Sequence, residues 1–475
     1  MTTETVETDI CVIGAGSGGL SVAAGASQMG ARVVLIERGK MGGDCLNYGC
    51  VPSKALIAAG HRAEELRKAE VFGIKPSVPE VDFSKVHEHV HTVIGAIEPN
   101  DSVERFEGLG VHVIQATGRF TGPREVMAGG VTVRAKFFVV STGSSAGVPP
   151  IPGLSDVPYL TNETVFDLTE CPEHLIVIGG GPIGCELAQA HRRLGARVTV
   201  LEMFSILEKD DPEAAEVVRR QLQREDVKLR EGVHIVGVSE EAGGVVVDIN
   251  ADGVSERING SHVLVAAGRS PNLDGLNLEA AGIKYSPKGI DVDARLRSSN
   301  KRVFAIGDVA GALQFTHVAG YHAGIVIRNA LLKLPAKVNY KAVPWVTYTD
   351  PELANVGLTE DQAKERLGDN IRILRWPFGE NDRAQAERKT DGFIKVIADR
   401  KGRIHGACIV RSHAGELILP WVLAVGQGLK IGAMASAIVP YPTQSEVTKR
   451  VAGSFYTASL FGDRTKKLVR FLLRL

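Results

Sequence analysis

The sequence predicts an α/β fold: two copies of one strand–turn–helix–strand unit, followed by an α+β region of different texture. Three observations predict it. The chain has 475 residues, too long for a single hydrophobic core and about three domains by length. Residues 9–37, DICVIGAGSGGLSVAAGASQMGARVVLIE, return at 174–202 as HLIVIGGGPIGCELAQAHRRLGARVTVLE, with a constant offset of 174 − 9 = 165 positions. From about Pro344 no glycine fingerprint recurs, and strands such as GFIKVIAD and RIHGACIV alternate with helices.

The first unit runs from a short apolar strand through Gly14, Gly16 and Gly19 into a helical segment and a second strand ending on Glu37. In the second unit Gly179, Gly181, Gly184 and Glu202 hold the same places. One G-x-G-x-x-G is weak evidence, because 53 glycines supply about 0.7 of them by chance. Two in register, each reaching a glutamate eighteen residues past the last glycine, have a mechanism. The glycines permit a tight turn and close approach of a pyrophosphate to a helix N-terminus, and the glutamate accepts from a ribose hydroxyl. Both units therefore read as Rossmann-like dinucleotide-binding domains. Glu202 is followed by Met203, Phe204 and Ser205, without a cation to hold a 2′-phosphate, so NADH is expected over NADPH, which is not excluded.

After each unit, β-rich stretches lead to a strand-end turn, AKFFVVSTGSS carrying Thr142 and Gly143 and SHVLVAAGRSPN carrying Gly268. The Pro/Gly-rich run from Pro150 to Leu160 reads as a crossover linker. RVFAIGDVA sets Asp308 just past a strand, where a carboxylate can hold a ribityl or ribose hydroxyl. The expected organisation is a first domain of 1–150 plus 270–343, an inserted second domain of 151–269, and a third of 344–475.

Composition narrows the function. Lys plus Arg and Asp plus Glu both number 55, so the concentrated positive surface that nucleic acid requires is not expected. The polar, acidic start MTTETVETDI is no secretory signal, and no apolar run approaches the length of a membrane span. Cys11, Cys171, Cys185 and Cys408 sit among apolar residues and read as small buried hydrophobes. In a reducing cytoplasm the remaining close pair, Cys45 and Cys50 of MGGDCLNYGCVPSK, is catalytic or metal-binding rather than structural.

A zinc site would need further ligands at comparable spacing. His87, His89 and His91 alternate, but read as a solvated segment. A redox disulfide has a mechanism. Pro52 marks a helix start that places Cys50 at an N-terminus, where the dipole favours thiolate, and Lys54 adds positive charge one turn on. Gly42, Gly43 and Gly49 would let a flat cofactor lie against backbone.

GGDCLNYGCVPSK, the twin fingerprints, FAIGD and DPELANVGLTE together resemble the FAD-dependent pyridine-nucleotide disulfide oxidoreductases, over residues 8 to about 455. The resemblance implies that Gly14, Gly16, Gly19 and Glu37 bind the adenosine half of FAD, with Asp308 at its ribityl region, and that Gly179, Gly181, Gly184 and Glu202 bind NAD(P)H. It implies Cys50 as the flavin-side thiol, Cys45 as the interchange thiol, and Lys54 near the flavin, paired with Glu186. It also implies a homodimer built through the third domain, since Tyr441 and Glu446 belong beside the other subunit's cysteines. Electrons would pass from NADH by way of FAD to the Cys45–Cys50 disulfide and on to an acceptor.

One position departs from the pattern. Disulfide-reducing members carry a His, then Pro-Thr, with a Glu five residues after the His; this chain reads YPTQSE, so Pro442, Thr443 and Glu446 are in place and Tyr441 stands for the His. A phenol of pKa about 10 cannot replace imidazole near neutrality, and loss of the base costs about 10²–10⁴-fold. Tyr441, NDRAQAE and the stretch from Asp82 to Phe120 are more similar to the mercuric reductase branch, although an N-terminal metal-capture domain and a C-terminal Cys-Cys are missing. The expected acceptor is a metal ion, a quinone or an unusual disulfide. The alternatives are a dihydrolipoamide dehydrogenase with altered acid–base chemistry, and a flavin-binding scaffold or membrane-recruited partner with vestigial redox activity.

The chain closes on FGDRTKKLVRFLLRL, where Lys467, Arg470 and Arg474 share a helical face and Leu468, Phe471, Leu472 and Leu475 occupy the remainder. This reads as a terminal helix docked on its own dimer, with peripheral membrane contact as the alternative.

Overall fold

A computed structural model describes residues 4–241, 243–311 and 313–475, so the first three residues of the polar N-terminus lie outside it. The N-terminal sheet runs in the order Val111–Gln115, Val33–Glu37, Glu4–Ile13, Val131–Val140, with Val303–Ala305 beside the last of these, all parallel. Strands Glu125–Ala128 and Gly118–Gly122 extend it antiparallel. Ile10, Cys11 and Val12 are fully buried, which explains why this strand reads as a continuous apolar run rather than an alternating one. The second unit forms a smaller parallel sheet, Lys228–Arg230, Arg197–Leu201, His174–Ile178, His262–Val265. A three-stranded antiparallel meander over Val233–Gly260 completes this part. The two crossings between the sheets lie side by side, because Ser144–Ala146 pairs antiparallel with Arg269–Pro271.

Past Pro344 the chain builds a five-stranded antiparallel sheet, Pro344–Thr347, Glu352–Gly357, Ile404–Arg411, Phe393–Asp399, Ile371–Pro377. Its core includes Trp421, Phe378, Ile394 and Val451, each fully buried. Polar clasps fasten this sheet to the second unit. Lys395 Nζ lies 2.8 Å from Asp211, 3.2 Å from Glu213 and 3.1 Å from Glu360. Asp210 accepts from Trp345 Nε1 at 2.7 Å and from Asn355 Nδ2 at 2.8 Å. Arg193, buried, pairs with Glu225 at 2.6 Å and Asp350 at 3.1 Å.

The histidines are a solvated segment as expected, with His89 and His91 exposed and His87 half-buried on helix Phe83–Ile97, whose 3.6-residue period separates His89 from the other two. The rings of His87 and His91 lie with centroids 4.0 Å apart and planes tilted by 32°. Cys171 is half-buried, its thiol donating to the carbonyls of Pro172 and Leu194 at 3.7 Å, whereas Cys11, Cys185 and Cys408 are buried as expected. No residue of the terminal helix, Asp463–Leu472, is buried within the single chain. Among the described residues no helix is long and apolar enough to cross a membrane.

Candidate active site

The two glycine turns are the same object built twice. Gly14 and Gly179 adopt φ of +104° and +113°, a region that L side chains avoid. A Cβ on Gly19 would lie 1.9 Å from the Gly14 carbonyl, and one on Gly184 would lie 1.9 Å from that of Gly179. Glu37 accepts from the Ala15 N–H at 2.6 Å and the Gly39 N–H at 2.7 Å. Glu202 accepts from the Gly180 N–H at 2.7 Å and the Phe204 N–H at 3.0 Å. Both glutamates therefore brace their own turns, a role the sequence reading missed, while a carboxylate's four lone-pair sites leave room for a ribose hydroxyl.

Two cavities of about 540 and 800 Å³ share Gly16, Asp44, Tyr48, Gly143 and Ser144, and so form one trough. The smaller holds Gly14, Glu37 and Thr142; the larger holds Cys45, Cys50, Lys54, Glu186 and Asp308. At Gly16 and Gly143 a Cβ would meet nothing within 4 Å, so bare backbone faces open space there. Glu37 at one end and the cysteines at the other suit an extended dinucleotide such as FAD. Pro182 and Ile183, which open the helix of the second unit, border the larger cavity. Gly179, Gly181, Gly184, Glu202 and Gly268 lie outside it, around the turn behind that helix.

Gly42, Gly43 and Gly49 also serve the packing of the cysteine loop. A Cβ on Gly43 would stand 2.7 Å from Gly16 Cα, and one on Gly49 would stand 2.9 Å from Asp44 Oδ2. These glycines let the cysteine loop press against the first turn; the Gly42 N–H donates to Ala15 O at 3.0 Å. Cys45 lies on helix Gly43–Asn47 and Cys50 begins helix Cys50–Arg67. The Cys50 thiol is drawn down to about 6, first by its hydrogen bond with Cys45, against the opposing effect of burial, and further by Thr316 and the charge of Lys54. The Cys45 thiol is pushed far up by the same hydrogen bond and by burial. The Thr316 hydroxyl lies 3.3 Å from Cys50 Sγ at the start of helix Thr316–Ala330.

Helix Cys50–Arg67 packs on helix Pro182–Arg193, with Gly60 against Ala190, and this brings Lys54 to Glu186. Lys54 Nζ donates to Glu186 Oε2 at 2.8 Å and lies 4.3 Å from the Tyr348 ring centroid; the other oxygen of Glu186 accepts from the Tyr348 N–H at 2.9 Å.

Arg269, which the sequence reading passed over, organises the middle of the trough. It donates to the Ser144 hydroxyl at 2.8 Å and the Ser144 carbonyl at 2.7 Å, and lies 3.2 Å from Asp44. The Ser144 hydroxyl donates to Asp308 at 2.5 Å. Burial pushes the Asp308 carboxyl up, against the Ser144 bond and the Arg269 charge. The pairing of the two crossing strands is what brings these residues together, so only the strand-end position of GRSPN signals them in sequence.

Tyr441 and Glu446 do not line the cysteine cavity of their own chain. Tyr441 is 69% exposed and donates to Asp382 Oδ2 at 2.8 Å. The following residues are tied to the same short helix, Asn381 donating to Thr443 O at 3.0 Å and Gln444 to Glu387 at 2.8 Å. An imidazole does border the cysteine cavity: His317, whose Nε2 donates to Pro344 O at 2.9 Å. Among the described residues no group of three or more His, Cys, Asp or Glu is arranged to hold a metal ion.

Comparison with known proteins fits this geometry. A family model described as pyridine nucleotide-disulphide oxidoreductase matches residues 8–323, and the dimerisation domain of that family matches residues 343–452. A mercuric reductase of Staphylococcus aureus is 35% identical over 450 residues, which are 94% of this chain and 82% of that protein. A dihydrolipoyl dehydrogenase of Geobacillus stearothermophilus is 36% identical over 457 residues, 94% of this chain and 96% of that protein. Among solved structures, the Cu(II) complex of the HOCl-induced flavoprotein disulfide reductase RclA from Escherichia coli superposes with a TM-score of 0.84 at 27% identity, covering 94% of this chain and 99% of that one.

Proposed function

The chain belongs to the pyridine nucleotide-disulphide oxidoreductase family, and from that premise we propose that it passes electrons from NADH by way of FAD and the Cys45–Cys50 pair to a thiophilic metal ion. FAD held in the trough supplies a two-electron carrier between nicotinamide and sulfur. Gly14, Gly16, Gly19, Glu37, Thr142, Gly143 and Asp308 hold it, with Lys54 and Glu186 at its redox end. Gly179, Gly181, Gly184, Gly268 and Glu202 hold the nicotinamide cofactor, and the Glu202 carboxylate disfavours a 2′-phosphate. Reduction breaks the Cys45–Cys50 bond, taking up two electrons and one proton to leave a Cys50 thiolate and a Cys45 thiol.

Tyr441 carries the choice of acceptor. Reducing a disulfide substrate requires a base that moves the Cys45 proton away and back. Tyr441 of the partner subunit offers a hydroxyl already bound to a carboxylate. A thiophilic cation instead takes the place of that proton on sulfur, so no imidazole is required. A mercuric reductase relative and a copper-complexed structural neighbour support the same acceptor class. The reading is that of a homodimeric cytoplasmic enzyme.

His317 favours a second reading, dihydrolipoamide-type disulfide reduction with a relocated imidazole. The deciding experiment is NADH oxidation with lipoamide and with thiol-liganded Hg(II), using the wild type, Tyr441→His and His317→Gln. We expect negligible wild-type lipoamide turnover, raised about a hundredfold or more in Tyr441→His, alongside brisk metal-dependent oxidation. Brisk wild-type lipoamide turnover, lost in His317→Gln, overturns the metal reading.

A further inference from the structure

We propose that the C-terminal helix, Asp463–Leu472, with the three residues that follow it, is a docking element for an anionic lipid surface. The residues divide by helical spacing. Leu468, Phe471, Leu472 and Leu475 stand at i, i+3, i+4 and i+7, while Lys467, Arg470 and Arg474 stand at i, i+3 and i+7 on the other side. This is the pattern of a helix lying in the plane of a membrane interface, its apolar stripe at the acyl boundary and its cations among the headgroups.

Three facts select that occupant. The apolar side chains are uncovered within the chain, from 47% exposed at Val469 to 91% at Leu475. The match to the family's dimerisation domain stops at residue 452, before this helix begins. From Asp463 to the end, Arg464, Lys466, Lys467, Arg470 and Arg474 face a single acid, Asp463. Stacking two such helices across a two-fold axis would set like charges together, whereas anionic headgroups neutralise all five cations. The chain's overall charge is balanced, so this cluster is a local feature and not the edge of a generally basic surface.

The test is co-sedimentation of the full-length holoenzyme with phosphatidylcholine vesicles, with and without phosphatidylglycerol, at low and high salt. A basic side chain near such a surface strengthens binding about fivefold, so Lys467→Gln combined with Arg470→Gln should weaken it about 25-fold. We expect binding only with phosphatidylglycerol, release by salt, and loss of binding in a variant lacking residues 462–475 that remains a dimer by light scattering and still oxidises NADH. Failure to sediment with either vesicle overturns the proposal, as does equal sedimentation of the truncated variant. Dissociation of the truncated variant into monomers also overturns it, because a second copy then covers the helix.

Discussion

Replacing Lys54 with Met should do two separable things. Among the described residues its Nζ is the only cation paired with Glu186, whose side chain is 7% exposed against 39% for that of Lys54. Removing one partner of a fully buried pair costs about 3–5 kcal/mol. Here the lysine is partly hydrated and Glu186 keeps the Tyr348 N–H, so the expected loss is about 2 kcal/mol, a fall in Tm of about 2 °C for a chain of this length. The second effect is electrostatic. Lys54 helps hold Cys50 down at about 6, so the thiolate of the reduced enzyme forms above that pH, and the midpoint moves upward without the lysine. Adding Glu186→Gln to Lys54→Met removes the stranded charge and should restore most of the Tm without restoring the thiolate. Differential scanning fluorimetry reads the first quantity, and the pH dependence of iodoacetamide alkylation after reduction reads the second. The reasoning is refuted if the double variant melts as low as the single one, or if the alkylation midpoint of Lys54→Met stays at the wild-type value.

Gly19→Ala and Gly184→Ala meet identical obstacles, a carbonyl 1.9 Å from the new Cβ, and each should strain its own turn by about 1–3 kcal/mol. Gly19→Ala should lower bound flavin, read by absorbance, whereas Gly184→Ala should keep the flavin and lose its rapid reduction by NADH in stopped flow. Burial alone would raise the Asp350 carboxyl, but Arg193 foremost, with His61, Lys389 and Ser412, holds it at about 2 against 3.8 for the free group. A lowered carboxyl stabilises the fold above its unfolded value and loses that contribution as pH falls toward its folded one. Asp350→Asn should therefore cost about 2 kcal/mol near neutrality, with the gap to wild type closing between about pH 4 and pH 2 in acid-unfolding curves. Asp382 raises the pKa of the Tyr441 phenol through their hydrogen bond, so Asp382→Asn should bring it down toward the ordinary value, followed by ultraviolet difference absorption with Tyr441→Phe as the blank.

Much of this was legible because it is local. The glycine fingerprints lie within single strand–turn–helix units, and the structure repeats them down to the N–H partners of Glu37 and Glu202. Cys50 at a helix start was readable from Pro52. What sequence could not reveal is held together by distant pairings. Arg269 reaches Ser144 across 125 positions and Thr316 reaches Cys50 across 266, and no periodicity reports such contacts. Asp382 was out of reach for the same reason, 59 residues from Tyr441. The histidine run carried no signal of its element; the helix that holds it is set by Asp82 at its N-cap and by the apolar Phe83 and Val90 that it buries.

The clasps between the second unit and the sheet beyond Pro344 have a mechanical consequence. A lobe fastened at one point can swing about it as on a pivot; fastened at two separated points, it can turn only about the line joining them. A third point off that line removes even this freedom. Lys395 grips the start of one helix through Asp211, Arg193 at the end of another grips Asp350, and the Lys54–Glu186 pair ties the same lobe to the helix that Cys50 begins. So braced, the nucleotide-holding lobe acts as a strut rather than a door. The gap between the Pro182 turn and the Cys50 sulfur is then set once, at folding, and entry and exit of a ligand fall to side chains at the rim, such as Ile183 and Tyr348, instead of to a swing of the whole lobe.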